Sequence, residues 1–134
     1  MAAAATAGAL IALGRVHGAA LRPLNSVAHI VTGSRAYYME GFGGITVVAL
    51  LVHTVSVIAW GIVFAIGTRR LRGATLYAPA LAFAAATWVF DFRVVPDRLK
   101  PGFESGLNNA EIGFVYFILG VSLAWALSRE RNEM

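Results

Sequence analysis

Histidine is the side chain best suited to ligand chemistry in this sequence, and it occurs at His17, His29 and His53. Imidazole is a common axial ligand of haem, and b-type haem needs no cysteine. His53 lies in a long apolar stretch, where an ionisable residue is a functional candidate by default. One hypothesis is therefore a haem b or metal site in which His53 pairs with His29 or His17. The alternative is a neutral His53 that is hydrogen-bonded between helices.

A second group of side chains combines histidine with carboxylates, which is the ligand set of non-haem metal sites and of proton relays. Its members are His29, His53, Asp91, Glu104 and Glu111. The spacing gives this group little support, because no E-x-x-H or H-x-x-x-H motif occurs. The alternative is that the carboxylates pair at the surface with the basic residues Arg93, Arg98 and Lys100.

Several function classes are disfavoured by what the sequence lacks. It contains no G-x-S-x-G, P-loop, H-E-x-x-H or S-x-x-K motif, so an enzyme of a familiar hydrolytic class is not expected. It contains no cysteine, which excludes disulfides, thiolate metal sites, cysteine nucleophiles and covalent haem attachment. No basic run is interleaved with aromatic residues, so a nucleic-acid partner is not expected either.

The elements that must position these side chains are membrane-spanning helices. Residues 45–67 carry no formal charge, and about 20 apolar residues suffice for a helix to cross a bilayer. Arg69, Arg70 and Arg72 follow at once, and charge this dense ends a span at a water interface. The whole chain is 58% hydrophobic and 13% charged, whereas a soluble domain is about 25% charged.

The predicted fold is all-α: one domain, residues 1–134, forming a four-helix transmembrane bundle. The predicted spans are approximately residues 2–21, 45–67, 75–94 and 111–127. Four spans put both termini on one side of the membrane. Lys and Arg are balanced between the two sides, but the short, dense turn at residues 69–72 favours cytoplasmic termini in the cell inner (plasma) membrane.

Small residues in the first span allow another helix backbone to approach closely. They are Gly8, Ala12, Gly14 and Gly18. Residues 22–43 are expected to be a polar connection with a short interfacial helix. Residues 91–104 form either a lid or docking surface or a stiff connector. Asn108 or Asn109 is expected to cap the last helix, and residues 128–134 are expected to be a charged, frayed tail.

One set of residues resembles a known pattern. It consists of Asn25, His29 and Gly33, then His53 with Trp60, and then a loop that contains Asp91, Pro96, Arg98, Pro101, Gly102 and Glu104. Together they resemble a group of small, uncharacterised four-span inner-membrane proteins of proteobacteria. The chain departs from that pattern after His29, where Ile30-Val31-Thr32 replaces a tryptophan-rich segment. The resemblance supports the topology and makes Asn25, His29, His53, Asp91, Arg98 and Glu104 candidate functional positions.

Two function classes follow from these observations. The first is a non-enzymatic integral membrane protein, which is either an accessory subunit of a larger membrane complex or a small self-associating protein. Its partners would be the lipid bilayer and other membrane protein subunits or further copies of itself. The second is a haem-binding, metal-binding or proton-relay membrane protein that uses His53 with His29 or His17.

Overall fold

The protein is all-helical. The computed structural model describes residues 1–133, in which about 80% of positions are helical and no strand occurs. Three helical segments are long enough and apolar enough to cross a membrane, namely Gly44–Gly67, Gly73–Val94 and Asn109–Glu133. The all-α class is therefore confirmed, and so is the presence of membrane-length helices in the second, third and fourth predicted spans.

Six α-helices form the structure. They are α1 (Ala2–Val16), α2 (Arg22–Ser26), α3 (His29–Thr32), α4 (Gly44–Gly67), α5 (Tyr77–Val89) and α6 (Asn109–Glu133). A 3₁₀ turn, Gly73–Leu76, leads into α5, and a π turn, Phe90–Val94, continues it. Helix α6 starts as predicted, because Asn108 Oδ1 accepts a 3.0 Å hydrogen bond from the Glu111 amide. The Glu111 carboxylate accepts a 2.9 Å bond from the Asn108 amide in return, which makes a capping box.

Helices α5 and α6 pack most closely. A side chain at Gly120 would meet the Ala80 carbonyl oxygen at 2.9 Å and the Ala84 Cβ at 3.1 Å. Small residues at this crossing let the two backbones approach, which is the usual basis of helix association in lipid. Helix α1 also packs on α6 and touches α4.

Helix α1 is shorter than the first predicted span. It ends at Val16 rather than near residue 21, and its 15 residues measure about 22 Å against a hydrocarbon core of about 30 Å. The chain turns because Gly18 adopts a left-handed φ of 78°. Gly14 allows that turn, since a side chain there would meet the carbonyl oxygens of Ala19 and Ala20 at 2.5–2.6 Å.

Residues 22–38, which we call the cap, fold over one end of the bundle instead of forming an open polar connection. The cap contains α2, α3 and a 3₁₀ helix at Gly33–Tyr38. Its residues 24–29 are only 0–7% exposed. Asn25 organises the following turn, because its Nδ2 donates hydrogen bonds to the carbonyls of Met39 at 2.9 Å and Gly41 at 3.1 Å.

The opposite end of the bundle is closed by Arg131. Residues up to Glu133 continue α6, so this part of the predicted frayed tail is helical. The Arg131 guanidinium donates hydrogen bonds to the carbonyls of Thr68 and Leu71, each at 2.7 Å, and to that of Ala65 at 3.0 Å. The Ala65 carbonyl lies in the last turn of α4, and those of Thr68 and Leu71 follow it. The Thr68 carbonyl also accepts a 2.8 Å hydrogen bond from the Leu71 amide.

Candidate functional site

A cavity of about 110 Å³ lies inside the bundle. Helices α1, α4 and α6 form its walls, the π turn contributes Asp91, and the cap together with residues 99–103 covers one end. Most of its lining is apolar. Its polar side chains are Thr6, His53, Ser56, Asp91 and Tyr116.

His53 joins α4 to α1. Its Nε2 lies 2.8 Å from the Thr6 hydroxyl oxygen, and both side chains are buried. The single hydroxyl proton of Thr6 is donated to the Ala2 carbonyl at 2.9 Å. The Thr6 hydroxyl thus bridges its own helix and the imidazole of His53. His53 thus makes an interhelical hydrogen bond, as in the alternative interpretation.

Asp91 joins the end of α5 to α6. Its Oδ2 accepts a 2.6 Å hydrogen bond from the Tyr116 hydroxyl. Asp91 lies in the π turn, and such turns recur at functional sites because the wider turn reorients a side chain. Asp91 makes no ion pair within residues 1–133. The expected surface pairing with Arg93, Arg98 or Lys100 is therefore not observed for this carboxylate.

Aromatic rings fill the space between α4 and α5 beside the cavity. The Trp60 ring lies 5.9 Å from Phe83 and 5.6 Å from Phe90, both edge-on. Trp60 also lines the cavity, as does Ser56, which is exposed. The cavity thus opens sideways from the bundle next to Ser56.

The three histidines do not converge. His17 is exposed and its Nε2 lies 2.7 Å from Glu111 Oε1. His29 lies in the cap, where Nδ1 donates a 2.9 Å bond to the Ser26 carbonyl and the ring stacks on Tyr37. Of the three, only His53 lines the cavity.

A haem does not fit the cavity around His53. The ring nitrogen Nε2 already binds Thr6. The cavity of about 110 Å³ is far smaller than the roughly 300 Å³ at which ordinary ligand pockets begin. Within residues 1–133, no three His, Asp or Glu side chains come close enough together to hold a metal ion.

Further buried polar atoms lie in the cap and in the loop that follows Gly102. Asn25 Oδ1, His29 Nε2 and Glu104 Oε2 are buried without a hydrogen-bond partner in the described part of the chain. Burial raises the pKa of the Tyr37 hydroxyl, and the charges of Glu104 and Asp97 add to that rise. Of the candidate positions, Asn25 and His29 belong to the cap, and Glu104 belongs to the loop that follows Gly102.

Gly102 lets that loop lie directly on the cap. Its φ is 93°, and a side chain there would meet the Ser26 carbonyl oxygen and, at 2.6 Å, His29 Nδ1. Leu99, Pro101 and Phe103 around it line the cavity. The loop therefore covers one end of the cavity. Arg98 is exposed in the same loop, and Lys100 pairs with Asp97 at 2.5 Å.

The sequence identified two of the cavity's polar groups, His53 and Asp91, but missed their partners. Thr6 carries the only hydrogen-bonding side chain in residues 1–14, and that isolation was the signal available for it. Tyr116 gave no comparable signal. Together these groups form a small polar chamber inside apolar helices, suited to holding a proton or a small polar molecule.

No family model, curated protein or solved structure matches the chain.

Proposed function

We propose that the protein is a non-enzymatic integral membrane protein that acts by associating with other membrane helices, as an accessory subunit of a larger complex or as an oligomer of itself. The observation that supports this most is the outward face of α1. Ala5, Gly8 and Ala12 lie on that face at helical spacing and are exposed. No atom lies within 4 Å of the position that a Gly8 side chain would take.

Small residues exposed on a membrane helix favour a protein neighbour over lipid, because they let a second backbone pack closely. The length of α1 supports the same proposal. It falls about 8 Å short of the hydrocarbon thickness, and association with another helix is one way to relieve such a mismatch.

The remaining outward surfaces suit lipid. Helix α4 exposes a broad apolar face that is 39–66% exposed. It consists of Val47, Leu50, Leu51, Val55, Ile58, Ile62, Val63 and Ile66. We propose four membrane segments, α1, α4, α5 and α6, with cytoplasmic termini in the inner membrane. The relationship to small four-span inner-membrane proteins of proteobacteria belongs to this proposal.

The test is a native gel of gently solubilised membranes, followed by mass spectrometry of the proteins that co-migrate with this chain. We expect migration in a defined assembly. Replacing Gly8 by Leu should disrupt that assembly, because the side chain holds the neighbouring helix away. Ala59→Leu is the matched control, since Ala59 is exposed on α4 and the substitution places the same leucine side chain on a lipid-facing surface.

A monomer with no companion, or equal migration of the Gly8→Leu variant and the wild type, would exclude this function. Co-migration with copies of itself would identify an oligomer, and co-migration with other proteins would identify an accessory subunit.

A proton relay is the second candidate, because His53 and Asp91 line the same cavity. Neither His29 nor His17 takes part in this arrangement. The test is proton flux into liposomes that contain the protein. Flux that Asp91→Asn abolishes would support the relay, and flux no greater than that of empty liposomes would exclude it.

A further inference from the structure

Each hydroxyl group that lines the cavity donates its proton to another group of the protein. Thr6 donates to the Ala2 carbonyl at 2.9 Å, and Ser56 donates to the Val52 carbonyl at 2.9 Å. Tyr116 donates to Asp91 at 2.6 Å. A hydroxyl has a single proton but two lone pairs, so each of these groups can offer the cavity only an acceptor.

The ionisable groups add one more set of acceptors, those of Asp91. His53 Nε2 lies 2.8 Å from the Thr6 hydroxyl oxygen, so this ring nitrogen already has a partner. Asp91 can accept further hydrogen bonds, because a carboxylate has about four acceptor sites and Tyr116 uses one. No lysine or arginine lines the cavity. The three hydroxyls and Asp91 therefore offer the cavity acceptors, and the donors in the lining are the imidazole of His53 and the indole N–H of Trp60.

Aromatic rings complete the lining. Trp60, Phe103 and Tyr116 border the cavity, and the face of an aromatic ring attracts a cation most strongly where water is excluded. A half-buried carboxylate without a basic partner adds a formal negative charge. The complementary occupant is a molecule that carries both positive charge and N–H donors.

The geometry points to a binding site for a small primary ammonium ion in this cavity. The volume of about 110 Å³ corresponds to three or four molecules of liquid water at about 30 Å³ each. Ammonium, methylammonium and ethylammonium fit this limit. The ammonium group binds Asp91 and the neighbouring acceptors, and a short alkyl group contacts Trp60. The site does not depend on how the protein associates with its neighbours.

Equilibrium dialysis tests this site directly. The full chain, purified in detergent micelles and in a phosphate buffer free of amines, is dialysed against radiolabelled methylammonium. We expect saturable binding of one molecule per chain in the millimolar range, which is about the limit for a ligand with two heavy atoms. Ethylammonium should compete. Tetramethylammonium, which has no N–H group, and K⁺ should not compete at equal ionic strength.

Substitutions locate the site. Asp91→Asn should weaken binding at least about tenfold, because it removes the charge and keeps the shape. Asp97→Asn is the matched control, since that carboxylate is exposed in the same loop and should leave the affinity unchanged. Ser56→Leu acts at the exposed mouth of the cavity and should block binding without disturbing the core.

Three results would each overturn the proposal. They are an absence of saturable binding to the wild type, competition by K⁺ or tetramethylammonium equal to that of ethylammonium, and an affinity unchanged by both Asp91→Asn and Ser56→Leu. Trp60 fluorescence, measured in a Trp88→Phe, Trp125→Phe background, provides an independent titration of the same site.

Discussion

The guanidinium of Arg131 donates a 2.7 Å hydrogen bond to the carbonyl oxygen of Thr68, 63 positions earlier in the chain. Two further bonds from the same side chain reach the carbonyls of Leu71 and Ala65. Helix ends leave carbonyls unsatisfied and carry partial negative charge. A single cation on α6 thus satisfies the end of α4, although the two helices share few other contacts.

We expect Arg131→Ala to lower the free energy of unfolding by about 2 kcal/mol, because three hydrogen bonds from a charged group to backbone carbonyls are lost. Unfolding in mixed micelles with increasing denaturing detergent measures the change. Arg129→Ala is the control. Its ion pair with Glu133 is exposed, so its loss should cost under about 1 kcal/mol. Equal effects of the two substitutions would contradict this account.

Thr6→Val should destabilise the protein by about 1–2 kcal/mol, because the buried Nε2 of His53 loses its hydrogen-bond partner while the side-chain shape is kept. Thr6→Ser keeps the hydroxyl and should stay within about 0.5 kcal/mol of the wild type. The same detergent titration compares them. If Thr6→Val and Thr6→Ser unfold at the same detergent concentration, the hydrogen bond contributes nothing to stability.

Gly102→Ala should cost about 2–4 kcal/mol, since the substitution meets both a left-handed backbone conformation and the cap itself. Gly106→Ala is the matched control in the same loop, where φ is negative and no atom lies within 4 Å of a new side chain. Thermal unfolding in detergent distinguishes them. If Gly102→Ala unfolded at the same temperature as the wild type, the loop would not lie on His29 in the membrane.

Gly120→Ala should destabilise the protein, whereas Gly67→Ala should not. At Gly120 the methyl group pushes α5 away, at a cost of about 1–3 kcal/mol. At Gly67 no atom lies within 4 Å, so alanine should be neutral or stabilise by up to about 1 kcal/mol through helix propensity. Detergent-induced unfolding of both variants checks the sign. A stabilising Gly120→Ala would show that α5 and α6 are not in close contact.

Single cysteines can report the proposed orientation, because the chain has no cysteine of its own. Ser34 and Asn132 are exposed near opposite ends of the bundle. A membrane-impermeant maleimide should label Ser34→Cys in intact cells, and Asn132→Cys only after permeabilisation. The reverse pattern would invert the orientation. Labelling of both from one side would contradict the four-segment topology.

Long helices could be predicted from the sequence because their signal is local. Helix α4 begins at Gly44 and ends at Gly67, one residue longer than predicted, since uninterrupted apolar residues and a following arginine cluster define it. The cap could not be predicted in this way. Helices α2 and α3 have five and four residues, too few for periodicity, and Asn25 is buried only because Met39 and Gly41 supply its partners.

The cavity, like the fold, could be predicted from the sequence only in part. His53 and Asp91 stand out as ionisable residues inside apolar segments, so the sequence identifies them. Their partners Thr6 and Tyr116 lie 47 and 25 positions away, and nothing in a linear pattern joins positions so distant. The helical end of α6 could not be predicted for a related reason, because the role of Arg131 depends on carbonyls of α4 and of the residues after it.

The packing of α1 against α6 has a consequence for biosynthesis. His17 reaches Glu111 across 94 positions of sequence, so the first helix cannot complete its contacts until the last has been made. At translation rates of about 5–20 residues per second, that interval lasts on the order of 5–20 s. During that interval α1, which carries the basic residue Arg15, lies in the membrane without its contacts to α6. Chains truncated before residue 111 should therefore expose α1 to membrane quality-control proteases, however well α4 and α5 have been inserted.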